Sequence, residues 1–320
     1  MRLDDITFRP VLRARNLPRM PNHTGRIALA TGVALVAFAS NSILCRLALG
    51  ARQIDPSSFT TVRIVSGAAV LAALAALSRP RRPRVQTRAG WASAAYLFAY
   101  AIAFSLSYTT LGASTGALIL FPCVQMTMLV AALRAGERPR ALEWLGLSVA
   151  LAGLVLLVMP GLAAPSPVGA ALMAVAGVAW GLYSLRGRGS PDPLGDTARN
   201  FICAVPWALA ITVAAWSRAH TSSNGLVLAA ISGALSSGLG YVIWYAALRG
   251  LTATRAATVQ LAVPVIAAVG GIVFLGEAVT TRLALAAILI LGGVGATLAA
   301  RRRLANAHAL APNPQREQRP

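Results

Sequence analysis

Long apolar runs, each closed by proline, glycine, serine or arginine, divide the chain into about ten segments. They extend from Ile27 to Leu49, Phe59 to Ser78, Gly90 to Thr110, Ala113 to Leu133 and Leu142 to Met159. The remainder are Val168 to Leu185, Arg199 to Trp216, Gly225 to Ala247, Ala256 to Leu275 and Leu283 to Ala300. A transmembrane helix needs about 20 mostly apolar residues, because about 1.5 Å of rise per residue must cover about 30 Å of hydrocarbon. These runs have that length. They are apolar on every face, whereas the strands of a membrane barrel alternate apolar and polar positions. The pattern predicts an all-α integral membrane protein with about ten transmembrane helices. Breaks such as Arg79-Pro-Arg-Arg-Pro83 and Pro160-Gly-Leu-Ala-Ala-Pro165 are rich in turn-forming residues, and none leaves room for a soluble domain.

Composition agrees: 57% of the 320 residues are apolar and 12% are charged, about half the charged share of a soluble domain. An ordinary soluble enzyme is excluded. The net charge of +20 comes from 29 basic residues, all arginine. A basic chain first suggests nucleic acid, but these arginines sit in the gaps between apolar runs, where they set membrane orientation. With both tails in the cytoplasm, that side collects six arginines before the first helix and five between the second and third. It gains three between the fourth and fifth, three between the sixth and seventh, two between the eighth and ninth, and five after the tenth. Arg52, Arg218 and Arg282 remain on the far side, and Arg46 and Arg63 lie inside helices. This bias predicts cytoplasmic termini and an even number of crossings. Residues 1–26 form a basic tail without the apolar core of a cleavable signal peptide. Residues 301–320 form a second basic tail, expected to be disordered.

A weak internal repeat accompanies the helices. A shift of 140 positions aligns Gly136-Glu137 with Gly276-Glu277, and Leu151-Ala-Gly153 with Leu291-Gly-Gly293. A shift of 137 sets Asp55-Pro56 against Asp192-Pro193, and Arg63 against Asn200. These pairs place residues 27–160 over residues 166–300, five helices each. An odd number of helices per half makes the halves face opposite ways, as two inverted repeats.

The two five-helix halves, the Asp-Pro followed by Arg63 in the second helix, and the Gly-Glu between the fourth and fifth helices of each half resemble the EamA-type transporters of the drug/metabolite transporter superfamily. The resemblance covers about Ile27 to Ala300. It implies a carrier in the bacterial inner membrane that moves a small metabolite, often exporting an amino acid or related compound, by alternating access. It also implies a central cavity walled by helices 1, 3 and 4 and by helices 6, 8 and 9. Two features depart from symmetry: Pro264 lies two residues beyond the counterpart of Pro122, and Asn200 replaces Arg63 in the second half.

Polar groups at membrane depth are the candidate site residues, since each needs a partner, water or a path to the interface. Arg46, in the last turn of the first helix, can snorkel to headgroups. Arg63 is deeper, roughly 9 Å below the outer end of the second helix. It is either a functional or gating group, or a structural donor to backbone carbonyls. No carboxylate is expected at matching depth, and a guanidinium fork suits a carboxylate or phosphate, so the substrate is expected to carry an anionic group. Asn41 and Gln125 either hold helices together by hydrogen bonds or line the substrate path, with Tyr96, Tyr100, Trp180 and Tyr183 as aromatic walls. Tyr108, Tyr241, Trp244 and Tyr245 lie nearer helix ends and read as interface belts. Glu137 and Glu277, at helix ends, are either salt-bridge partners or gating groups. Pro122, Pro206 and Pro264 kink helices or free carbonyls. Gly112 to Gly116, Gly177 to Gly181 and Ser236-Ser-Gly-Leu-Gly240 allow close helix packing.

Other chemistry is poorly supported. His23, His220 and His308 lie in tails or loops, so no intramembrane metal site is expected. Cys45, Cys123 and Cys203 lack C-x-x-C spacing. The chain has no lysine, hence no Walker motif and no ATP-driven step of its own. The expectation is a cofactor-free secondary transporter in the lipid bilayer, with a small-molecule substrate and no nucleic-acid partner. A membrane-embedded enzyme or a non-transporting sensor is the alternative.

Overall fold

The structure, a computed structural model, describes residues 23–78, 88–134, 141–159, 164–187, 190–248, 259–260 and 262–310. Each apolar run becomes a helix, because only hydrogen bonds made within the segment satisfy a backbone surrounded by lipid. In order they are α1 (His23–Gly50), α2 (Pro56–Leu77), α3 (Arg88–Ser107), α4 (Ala113–Arg134) and α5 (Ala141–Val158). There follow α6 (Pro167–Gly187), α7 (Pro193–Ala214), α8 (Ser223–Leu248), α9 (Ala262–Leu275) and α10 (Thr281–Leu310). Among the described residues, seven helices are long and apolar enough to cross a membrane: α1, α2, α3, α4, α6, α7 and α8. The apolar stretches in α5, α9 and α10 are shorter there. The chain is a multi-pass membrane protein.

Helix starts follow local chemistry. Asp55 caps α2, its Oδ1 accepting the N–H groups of Ser57 at 3.1 Å and Ser58 at 3.0 Å, and Pro56 occupies the first turn, where no amide hydrogen is missed. Asp192 and Pro193 repeat the arrangement at α7, with Gly195 N–H donating to Oδ1 at 3.2 Å. The caps explain why α2 and α7 begin a few residues before their apolar runs. At the other end of the chain α10 continues to Leu310, so residues 301–310 of the expected disordered tail are helical.

The halves interlock. Thr61, near the start of α2, donates to the Ala208 carbonyl at 2.7 Å and meets Thr212 near the end of α7, so α2 and α7 run antiparallel. The turn before α2 and the turn before α8 are joined by an antiparallel bridge between Ile54 and Thr221. Asp55 N–H donates to the His220 carbonyl at 3.0 Å, and Ser222 N–H to the Gln53 carbonyl at 2.8 Å. At the same end of the bundle α9 stops at Gly276, whose φ of +62° is left-handed backbone suited to glycine. The turn directs Glu277 onto the start of α4. Its carboxylate accepts Ala113 N–H, Ser114 N–H at 3.0 Å and Ser114 Oγ at 2.7 Å.

Inside α8, residues Ser232–Leu239 form a π-helix. Gly233, its second residue, lies against α2 so closely that a Cβ would stand 2.1 Å from the Arg63 carbonyl oxygen. The wide turns and small side chains let α8 press on α2 where Arg63 crosses.

Candidate functional site

Arg63 is buried, with 2% of its surface exposed. Its neighbours come from helices of both halves. Nε donates to Ser237 Oγ in the π segment at 2.9 Å, and Nη2 donates to the hydroxyls of Tyr100 in α3 at 3.1 Å and Tyr241 in α8 at 3.2 Å. The guanidinium carbon stands 5.1 Å from the Tyr100 ring centroid and 5.2 Å from that of Phe104, within cation–π range. Among the described residues, no carboxylate lies within 4.0 Å of it, and Nη1 has no hydrogen-bond partner. The structural alternative read from the sequence, donation to backbone carbonyls, is therefore not what holds it; side-chain hydroxyls do.

Asn41 extends this cluster from α1. Its Nδ2 donates to Tyr100 OH at 3.3 Å, and its Oδ1 accepts from Ser232 Oγ at 2.5 Å. A cavity of about 20 Å³ lies beside Asn41 and Tyr100, lined by these two and by Phe38, Ser42, Phe104, Leu120, Phe121, Trp180 and Tyr241. That is room for about one water. Its wall belongs to α1, α3, α4, α6 and α8, and no α9 residue lines it. The rings interlock: Trp180 is 4.7 Å from Tyr241, 5.1 Å from Tyr100 and 5.8 Å from Phe38, centroid to centroid. Such offset and edge-on contacts hold the side chains in fixed orientations.

The other candidate residues scatter around this centre. Tyr183 is buried with its ring 5.6 Å from Trp180, and Asn200 Nδ2 donates to its hydroxyl at 3.5 Å. Asn200 thus stands against a tyrosine at the same distance from its Asp-Pro cap as Arg63. Tyr96 and Gln125 are half-buried and do not line the cavity; Gln125 Nε2 has no hydrogen-bond partner among the described residues. Arg46 Nη1 donates to the Tyr108 carbonyl at 3.0 Å, at the open end of α3, where exposed carbonyls attract a cation. Glu277 caps α4, and among the described residues no arginine pairs with it. Glu137 lies outside the described residues.

Tyr108, Tyr241, Trp244 and Tyr245 are buried within the bundle, not arrayed as an interface belt. Proximity to a helix end misleads here because α8 is 26 residues long, so its second half still lies within the packed bundle. Phe38, Phe104, Ser237 and Tyr241 were not singled out as site residues by the sequence. Phe38 and Phe104 share helix faces with Asn41 and Tyr100, three and four residues away, and that spacing was a usable signal.

The larger cavity, about 140 Å³, sits at the Asp55 end among Thr110, Gly112, Thr115, Pro165, Thr280 and Arg282.

Comparison with known proteins matches both halves separately. The model of the EamA-like transporter family matches residues 26–159 and again residues 167–299. An uncharacterized protein of Pseudomonas aeruginosa is 49% identical over 276 residues, which cover 86% of this chain and 96% of the relative. A protein of known crystal structure is 22% identical with a TM-score of 0.59, over 85% of this chain and 98% of the other, and shares the fold.

Proposed function

The chain belongs to the EamA-like transporter family, within the drug/metabolite transporter superfamily, and on that premise we propose that it is a secondary transporter that moves a small metabolite by alternating access. Members of the family are membrane transporters, not enzymes. The observation that carries the finer reading is the polar and aromatic cavity around Tyr100, Trp180 and Tyr241, lined by helices from both matched segments. Polar groups are costly at membrane depth and gather where a substrate or ion passes. The cavity is nearly closed, which suits an occluded stage of a cycle in which one half rocks against the other.

The proposed topology has ten crossings, made of the seven long helices together with α5, α9 and α10, in two inverted halves with both termini cytoplasmic. The antiparallel course of α2 and α7, and the matched Asp-Pro caps at their starts, support the inversion. The arginine bias supports the orientation, which puts the Asp55 end outside. The proposed location is the bacterial inner membrane, and the proposed direction is export of an amino acid or related compound.

Counterflow in proteoliposomes tests the carrier reading. Vesicles loaded with a panel of unlabelled amino acids and organic acids should accumulate the matching labelled compound, and protein-free vesicles should not. Failure across the panel in protein that is monodisperse and folded would overturn it. A phosphatase fused after Arg303 should be inactive, and an active fusion would overturn the topology.

A further inference from the structure

The cluster around Arg63 has more hydrogen-bond donors than acceptors. A guanidinium has five N–H donors and no acceptor, and a tyrosine hydroxyl contributes one proton. Tyr100 OH already accepts from Arg63 Nη2 and Asn41 Nδ2, and Tyr241 OH accepts from Arg63 Nη2. Ser237 accepts from Nε, and Asn41 Oδ1 is occupied by Ser232. With their oxygens so engaged, the tyrosine protons remain to be given. One hydroxyl can donate to the other or to Ser237, and among the described residues no carboxylate takes part in the cluster. Arg63 Nη1 also has no hydrogen-bond partner among the described residues. Arg63 itself does not line the cavity, whereas Tyr100, Tyr241 and Phe104, which it touches, all do. The cation stands one layer behind the wall, and Tyr100 and Tyr241, whose hydroxyls it polarises, are part of that wall.

We propose that this cavity, widened from its nearly closed state when the halves rock apart, binds an anionic oxygen of its ligand through the Tyr100 and Tyr241 hydroxyls, with Arg63 as the positioning residue that orients both and supplies the opposing charge. The ligand class is a monoanion, carboxylate first, with an apolar or aromatic body against Phe38, Phe104 and Trp180. The buried cation behind the wall disfavours an ammonium at the same point and favours a carboxylate over a neutral amide. This rests on reading the cavity as the transport site.

Phenylacetate, phenylacetamide and phenethylamine share one body and differ in charge. The full-length protein in detergent, at constant chloride and neutral pH, is titrated with each, and tryptophan emission is followed. Trp180→Phe assigns the signal to the cavity. Phenylacetate should bind roughly ten-fold or more tightly than phenylacetamide, because hydrogen bonds involving charged groups are the stronger ones, and phenethylamine should not saturate. Tyr100→Phe and Tyr241→Phe should each weaken phenylacetate several-fold while leaving phenylacetamide unchanged, a split that mere loosening of the fold would not give. Arg63→Met should remove the difference between acid and amide. Equal affinity of acid and amide in the unaltered protein would overturn the proposal, as would preference for the amine, absence of saturable acid binding, or acid preference that survives both tyrosine substitutions. If the variants do not fold, the three-probe comparison in the unaltered protein decides alone. Acid-selective binding without counterflow of any compound would keep the anion site and reject the carrier reading. Counterflow of amines and not of acids would keep the carrier and reject the anion site.

Discussion

Glu277, in the turn after α9, grips Ser114 at the start of α4 twice, accepting its backbone N–H at 3.0 Å and its hydroxyl at 2.7 Å. The contact joins the second matched segment to the first, and it places a negative charge at the positive end of a helix. Helix caps of this kind contribute about 0.5–2 kcal/mol. Glu277→Ala should therefore lower the unfolding temperature in detergent, and Glu277→Gln, which keeps one acceptor, should lower it less. Equal stability of all three proteins would remove the cap from the account.

Asp55 gives a pH dependence. Burial pushes its carboxyl upward, but donation from Ser57, from Ser58 and from His220 N–H outweighs this and holds it below the usual value of 3.8. A group depressed in the folded state stabilises fully above its unfolded value and loses that contribution as pH falls through the folded one. The stability advantage of the unaltered protein over Asp55→Asn should be constant above pH 3.8 and shrink below it. Thermal melts of both proteins across the acid range measure this, and a parallel fall would contradict it.

Gly233 marks the closest approach of α2 and α8. A Cβ there would meet both the Arg63 carbonyl oxygen and Ser66 Oγ at 2.1 Å, one of them rigid backbone. Overpacking costs about 1–3 kcal/mol, more than the roughly 0.5–1 kcal/mol that alanine gains over glycine within a helix. Gly233→Ala should destabilise the protein by about that net amount. Gly295→Ala, where nothing lies within 4 Å, should be neutral or slightly stabilising. Thermal melts of the pair provide the comparison.

Arg63→Met should separate stability from binding. A buried ion kept for structure is usually matched by a carboxylate, and removing one partner of such a pair costs about 3–5 kcal/mol. Arg63 has no such match among the described residues, so exchange for an apolar chain of similar length should leave the unfolding temperature within a few degrees while counterflow is lost. A steep loss of stability would assign the arginine to the scaffold.

The helices and their order were legible because lipid forces long apolar runs and leaves turn residues between them. Asp55-Pro56 and Asp192-Pro193 were visible as a repeat, and the structure adds that both are helix caps. The Gly276-Glu277 pair was visible too, but its partner is on α4, more than 160 residues away, and no local pattern encodes that. Which face of a helix meets lipid was harder to read, since the core is as apolar as its surroundings. Trp244 and Tyr245 were misplaced for that reason, and both are buried. The depth of Arg46 in its helix does not encode the Tyr108 carbonyl, 62 residues away, that receives it. The π segment left no mark beyond a run of serine and glycine, a composition that also reads as close packing.

That segment makes residue count matter as much as residue type. A π turn takes up one more residue than an α turn, so Ser232–Leu239 carries the equivalent of a single-residue insertion. Removing one residue there would let the segment close into an ordinary ladder while the residues that follow keep nearly their faces, whereas the same deletion elsewhere in α8 would swing everything beyond it by about 100°. Tyr241 would then stay on the cavity wall. Among relatives, a one-residue gap at this place would thus leave the chamber's lining in register, and a gap one turn away would change what the chamber presents although each aligned residue remained identical.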